Sequence, residues 1–311
     1  MIRRPPRSTL DRSSAASDVY KRQPEQTNLL MSKASRYGMG WRSLEEFILA
    51  LEQRGELLRV SHPVDVELEA GCIADLLVKR GGPAVIFDQP RLEDGSISRY
   101  PLAMNLFGTR DRTNLALDVV EPKEIGEMMT GLMKPDIGGI MKRPWTGLGL
   151  LRQGISMAPR KVSRGKCQQV RMDNPDVTRL PIPTSWPQDG GPFMTLPLVV
   201  TSDPETGVHN LGMYRSQVFG PDEVGLHWQK HKHGADHAEA SDDRMPVAIC
   251  LGGPPQVIFS AISPLPDNLS EYEFAGLLSG RRLKITKCLT NDLWVPADCD
   301  FVIEGYTLPS E

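Results

Sequence analysis

Long hydrophobic runs are missing from this chain of 311 residues: no apolar stretch approaches the roughly 18 positions that would cross a bilayer. An excess of one charge is missing too. The 36 Lys and Arg stand against 39 Asp and Glu, a net charge of −3. That balance gives no electrostatic reason to expect a nucleic-acid partner. Cysteine is scarce and scattered: Cys72, Cys167, Cys250, Cys288 and Cys299 are odd in number and contain no CxxC pair. This excludes a disulfide framework and a thiolate zinc site, and it reads as reduced thiols in a cytoplasmic protein. What is present is the composition of a globular chain, 40% hydrophobic and 24% charged, long enough for roughly two domains at about 150 residues each. Proline and glycine cluster between Pro135 and Pro204, as in "RLPIPTSWPQDGGPF". Each interior proline removes a donor and clashes with the preceding turn, so that region is expected to be loop and short extended pieces.

The first 23 residues, "MIRRPPRSTLDRSSAASDVYKRQ", carry five Arg, one Lys and four Ser with almost no core-forming pattern. Such composition fits a transit peptide, but Asp11, Asp18 and the Pro5-Pro6 pair spoil an amphipathic helix. The stretch also resembles translated sequencing-adapter read-through. Residues 1–30 are therefore expected to be a disordered, non-native leader, with Met31 as a plausible start.

Downstream, "WRSLEEFILALEQRGELLRV" predicts a helix with a Ser43–Glu46 capping box, apolar residues at helical spacing, and a stop at Gly55. A strand at "ELLRV" follows. A second helix is expected from about Leu68 to Lys79, then a buried strand at Ala84–Phe87. From about Gln168 the pattern changes to short β-prone runs: "QQVRM", "LPLVVTSD", "HNLGMYRSQVFG", "VAICLGG" and "QVIFSAIS". "SEYEFAGLLSG" reads as a helix with Ser270 as its N-cap. The expected fold class is α+β, with an N-terminal α/β domain over 41–165 and a β-rich domain over 166–311.

Three polar clusters stand out. Asn210 and Arg215 lie in one strand-like stretch, where an edge strand facing water would serve as well as a site. They are five apart, so a regular strand would put them on opposite faces unless Gly212 marks a bulge. His227, His231 and His233 space as H-x3-H-x-H, open to a hydrolytic zinc site or to a solvated surface. Glu271 follows the N-cap, where the helix dipole alone would favour it.

Together these clusters and their surroundings, "TLPLVVTSDPETGVHNLGMYRSQ", "HWQKHKHG", "SPLPDNLSEYEFAGLLSGRRLKITKCLTNDLWVPADCDFVIEGY" and, upstream, "LPIPTSWPQDGGPF", resemble the UbiD family of decarboxylases in order and spacing. The resemblance covers nearly all of residues 41–311. It implies prenylated FMN as cofactor, supplied by a flavin prenyltransferase, with Mn2+ or another divalent cation and often a monovalent cation such as K+. The implied reaction is non-oxidative loss or gain of a carboxyl group on an aromatic or α,β-unsaturated acid, with a quinone-precursor hydroxybenzoate as the default substrate. The implied fold is an N-terminal α/β domain joined to a split β-barrel that holds the flavin, in a homo-oligomeric enzyme.

By the same resemblance, Asn210 and Glu271 match metal ligands, and His227 matches a metal-ligand position of one branch of the family. Met213, Tyr214 and Arg215 match one cofactor-contacting segment; His227, Trp228 and Gln229, with Lys232 and His233, match a second. Arg215 matches the catalytic arginine, which would hold the substrate carboxylate and orient an acid. The family's acidic proton donors belong to a segment resembling E-G-P-F-G followed by an acid, expected just beyond "GYTLPSE". On this reading the 311 residues are a C-terminally truncated fragment with an incomplete barrel, inactive alone. The readings that compete with it are a flavin- or metal-binding module without chemistry and a His-ligated metal hydrolase.

Overall fold

In the computed structural model, which describes residues 40–133, 144–228, 233–241, 244–266 and 269–307, the chain begins as alternating helices and strands. The elements are α1 (Leu44–Gln53), β1 (Leu57–Val60), β2 (Val64–Asp65), α2 (Glu69–Lys79), β3 (Ala84–Phe87), β4 (Pro90–Arg91) and β5 (Leu102–Met104). Three helices follow: α3 (Arg110–Leu117), α4 (Lys123–Met133) and α5 (Pro144–Met157). Strand β3 pairs in parallel with β1 and antiparallel with β5, while β2 pairs in parallel with β4. All four residues of β3 are buried, which explains its unbroken "AVIF". The expected leader over 1–30 lies outside the described residues.

Ser43 caps α1 as its sequence implies, its Oγ accepting from the Glu46 amide at 3.2 Å. The reciprocal half of the expected box is shifted. Glu46 Oε2 accepts instead from the backbone of Arg42, at 2.6 Å.

The second half consists of β6 (Arg160–Val162), β7 (Phe193–Met194), β8 (Leu198–Ser202), β9 (His209–Met213), β10 (Ser216–Val218) and β11 (Val224–Leu226). It continues through α6 (His233–Glu239), β12 (Pro246–Leu251), α7 (Pro255–Ser260), α8 (Glu271–Ser279), β13 (Lys284–Lys287), β14 (Trp294–Pro296) and β15 (Phe301–Tyr306). Its strands form a four-stranded antiparallel sheet ordered β15-β12-β8-β9 and two three-stranded sheets, β11-β10-β7 and β14-β13-β6. Among the described residues no sheet closes into a barrel, and the architecture is mixed α+β with several small sheets.

The four-stranded sheet is buried on both faces. Leu198, Val200, Leu211, Ala248 and Cys250 pack with Val257 and Ile258 of α7 and with Tyr272 and Ala275 of α8. Their neighbours in sequence, Val199, Val247 and Ile249, point the other way, onto Val177, Leu180, Ile182 and Tyr214. This period-two division is why "LVV" and "VAIC" read as continuous apolar runs.

Two expected strands are not strands. "QQVRM" begins in a 3-10 turn at Lys166–Gln168 and continues without pairing. "QVIFSAIS" is largely α7, opened by Pro255 at the first helical position, where a missing N–H costs nothing. Short buried apolar runs look alike in either state.

Candidate functional site

The polar segment 209–217 is not one strand. Strand β9 pairs with β8 without interruption from Ser202↔His209 to Leu198↔Met213, so no bulge forms at Gly212. Pairing with β8 stops at Met213, and β10 begins at Ser216 in a different sheet. Tyr214 and Arg215 occupy the crossing between sheets, and this is what frees Arg215 from the alternation that places Asn210. Gly212 is needed there for another reason: a Cβ would lie within 2.8 Å of the Tyr214 Cζ.

Strand β9 is an edge of its sheet, and the outward amide of Leu211 donates to Glu271 Oε2 at 3.3 Å. Glu271 can serve there because it is not the capping residue of α8. The box is closed by Glu273, whose amide donates to Ser270 Oγ (3.2 Å) and whose carboxylate accepts from the Ser270 amide (3.0 Å). The dipole argument for a first-turn acid is met by Glu273 as well, which leaves the Glu271 side chain to face β9.

Asn210, one residue before Leu211, is only 6% exposed. Its Nδ2 is directed at Thr201 Oγ1 across the strand pair, at a long 3.5 Å, and Thr201 Oγ1 shares a 2.9 Å hydrogen bond with His237 Nδ1. The Tyr214 phenol also lies within hydrogen-bonding reach of the Asn210 side chain. A buried side-chain amide and a nearby carboxylate offer hard oxygen donors, a set that suits Mn2+ or Mg2+. Among the described residues no three of His, Cys, Asp and Glu gather closely enough to hold a metal by themselves.

Tyr214 is 2% exposed; its hydroxyl accepts from the Gly234 amide at 3.1 Å, and Trp228 meets its ring edge-on at 4.9 Å. Burial pushes its phenol pKa up. Met213 is half-buried against the α7–α8 face of the core. His227 is exposed, and its backbone amide donates to the Arg215 carbonyl at 3.2 Å. Gln229, His231 and Lys232 lie outside the described residues; His233 opens α6.

Arg215 meets a partner that its sequence position did not reveal. Its Nη2 lies 2.8 Å from Asp189 Oδ1, and its guanidinium sits 3.6 Å above the Phe193 ring. The Arg215 side chain is 47% exposed and that of Asp189 only 11%. Asp189 Oδ2 accepts from the Trp186 amide at 3.3 Å, and the Gly190 carbonyl accepts from Gln217 Nε2 at 2.8 Å. The "WPQDGGPF" turn is thus fastened beside Arg215. Asp189 lies in that quoted motif, yet it had no role until its partner 26 residues away was placed.

His209 has a structural task. Its Nε2 accepts from the Trp294 amide at 3.2 Å and its Nδ1 pairs with the Gly207 carbonyl at 3.1 Å, a pattern that requires a neutral ring. Burial first, then the charges of Lys161 and His237, hold its pKa below the ordinary 6.5. The unfolded chain therefore takes up the proton first, and stability is full above about pH 6.5 and falls as pH drops through the folded value. We expect the melting temperature of the native sequence to fall more between pH 7 and 5 than that of His209→Gln. Parallel melting curves for the two proteins would disprove the assignment.

Two family models match the chain in succession. Residues 48–130 match the 3-octaprenyl-4-hydroxybenzoate carboxy-lyase N-terminal domain, and residues 160–311 match the Rift-related domain of the same carboxy-lyase. An uncharacterized protein of Archaeoglobus fulgidus is 42% identical over 277 residues, which are 88% of this chain and 56% of that protein. Among solved structures, vanillic acid decarboxylase of Sedimentibacter hydroxybenzoicus in its closed form is similar with a TM-score of 0.74 at 28% identity, over 88% of this chain and 56% of that one. An evolved dimeric form of the UbiD-class enzyme HmfF from Pelotomaculum thermopropionicum, in complex with prFMN, gives 0.71 at 26%, over 86% and 58%. The chain spans little more than half the length of each of these relatives.

Proposed function

The chain belongs to the UbiD family, and from that premise we propose that it forms the flavin- and metal-binding part of a decarboxylase acting on aromatic or α,β-unsaturated carboxylic acids. The observation that carries this reading is the Glu271 carboxylate, released from helix capping and turned onto β9 beside the buried Asn210. Asn210 and Glu271 would hold a divalent ion through oxygen, and that ion would offset the phosphate charge of prenylated FMN. When bound, the flavin supplies the electrophile that stabilises the carbanion left by CO2.

The protein's own residues do the rest. Arg215, steadied by Asp189 and Phe193 yet half open to solvent, would take the substrate carboxylate in a charge-assisted pair. A guanidinium does not release a proton in proteins, so Arg215 positions the acid and another group must protonate the product. Met213, Tyr214, His227, Trp228, Gln229, Lys232 and His233 complete the proposed flavin contacts. Buried Tyr214 would serve by shaping the wall behind Asn210. No helix among the described residues is long and apolar enough to cross a membrane, in keeping with a cytoplasmic enzyme. A homo-oligomer and a flavin prenyltransferase as cofactor supplier complete the proposal.

Co-expression with a flavin prenyltransferase, followed by absorbance and metal analysis, tests it. The expected result is one flavin and one divalent ion per chain, with the flavin lost on chelation. Metal without flavin, bound as zinc by the histidine segment, would favour the hydrolase instead.

A further inference from the structure

At the C-terminal end of α8, two helical turns from Glu271, lies a cavity of about 540 Å3. Trp41, Arg42, Arg160, Gln256, Arg281 and Lys284 contribute to its lining. The volume lies within the range of small-molecule sites. Its charge is one-sided. Arg42, Arg160, Arg281, Arg282 and Lys284 line it against a single acid, Asp298, which pairs with Lys284 at 3.4 Å. Arg282 is spent on the carbonyls of Ala158 and Pro159, and Arg281 on that of Gly40. The guanidiniums of Arg42 and Arg160 meet no acceptor among the described residues. Burial lowers the pKa of Arg281, and the nearby Arg42 charge pushes the same way.

Gln256 closes one wall of the pocket without offering it an acceptor: its Nε2 donates to the Ala116 carbonyl at 2.9 Å and its Oε1 has no exposed surface.

We propose that this pocket binds a small organic phosphate. Its donors come from three directions: Arg42 just before α1, Arg160 on β6, and Lys284 on β13. A tetrahedral phosphate can accept from all three, whereas a planar carboxylate pairs best with one fork. The proposal does not depend on the flavin assignment, because none of these residues belongs to the proposed flavin and metal site.

Titration of the 311-residue chain with glycerol 3-phosphate at constant ionic strength is the test. It should raise the melting temperature by at least about 2 °C near saturation. Glycerol 3-phosphate should bind more tightly than inorganic phosphate, which cannot fill the space. Arg42→Glu and Arg160→Glu, both exposed and without a side-chain partner among the described residues, should each weaken binding at least about tenfold, and Arg99→Glu, exposed elsewhere, should not. Equal stabilisation by chloride, equal loss in all three variants, or citrate binding as tightly as glycerol 3-phosphate would each overturn the proposal.

Discussion

Replacing Glu271 by Gln is expected to empty the metal and flavin sites together. The substitution is nearly isosteric, and the amide oxygen of Gln can still accept from Leu211, so the edge of β9 stays covered. What disappears is the negative charge that faces the cation. A lost charge-assisted contact is worth about 1.5–3 kcal/mol, so Mn2+ affinity should fall about 10- to 100-fold. Flavin should follow in proportion, because its phosphate would be held through the same ion. Metal analysis and flavin absorbance on one preparation, with the melting temperature as a fold control, separate the outcomes. Unchanged occupancy of both would remove Glu271 from the site. Loss of metal with flavin retained would break the proposed link between them.

The second large effect is expected at Arg215. Arg215→Ala in flavin-loaded protein should weaken binding of an aromatic acid by about 10- to 100-fold, on the same estimate for a charge-assisted pair. The fold should survive, since the side chain is 47% exposed and contributes no core packing. Arg215→Lys should not restore affinity, because an ammonium cannot bond Asp189 and a carboxylate with the planar fork. Asp189→Asn should give an intermediate loss, with Arg215 present but less firmly held. If Arg215→Ala bound the acid as tightly as the native protein, substrate recognition would have to be sought at another cation.

Much of the fold was legible in the sequence, and the reasons are local. The caps at Ser43 and Ser270 are written in the residue types, and the stop at Gly55 follows from its positive φ of 70°. β8 and β12 announce themselves as apolar runs because both faces of their sheet are covered. Family membership was legible through separated motifs, and the two matching models bear it out. Three features were not legible, each for a physical reason. The helix at Pro255–Ser260 carries no period longer than its own six residues. The break at Tyr214–Arg215 depends on which sheet each strand joins, a long-range choice that a bulge at Gly212 only imitated. The Asp189 contact depends on how a proline-glycine turn lies over β10, and no periodicity encodes that.

The parallel pairing of β6 with β13 has a consequence for how the chain is made. Arg160 stands opposite Lys284, so one partner leaves the ribosome 124 residues before the other. At about 5–20 residues per second, β6 waits roughly 6–25 s for the strand it pairs with. The β1-β3-β5 sheet, by contrast, has all its strands once Met104 has been synthesised. The first half can therefore mature while the second still carries an unpaired strand edge, the kind of edge that recruits other chains. Slower decoding between Val162 and Lys284 should lengthen that exposure and lower the yield of folded protein, with no change in the final structure.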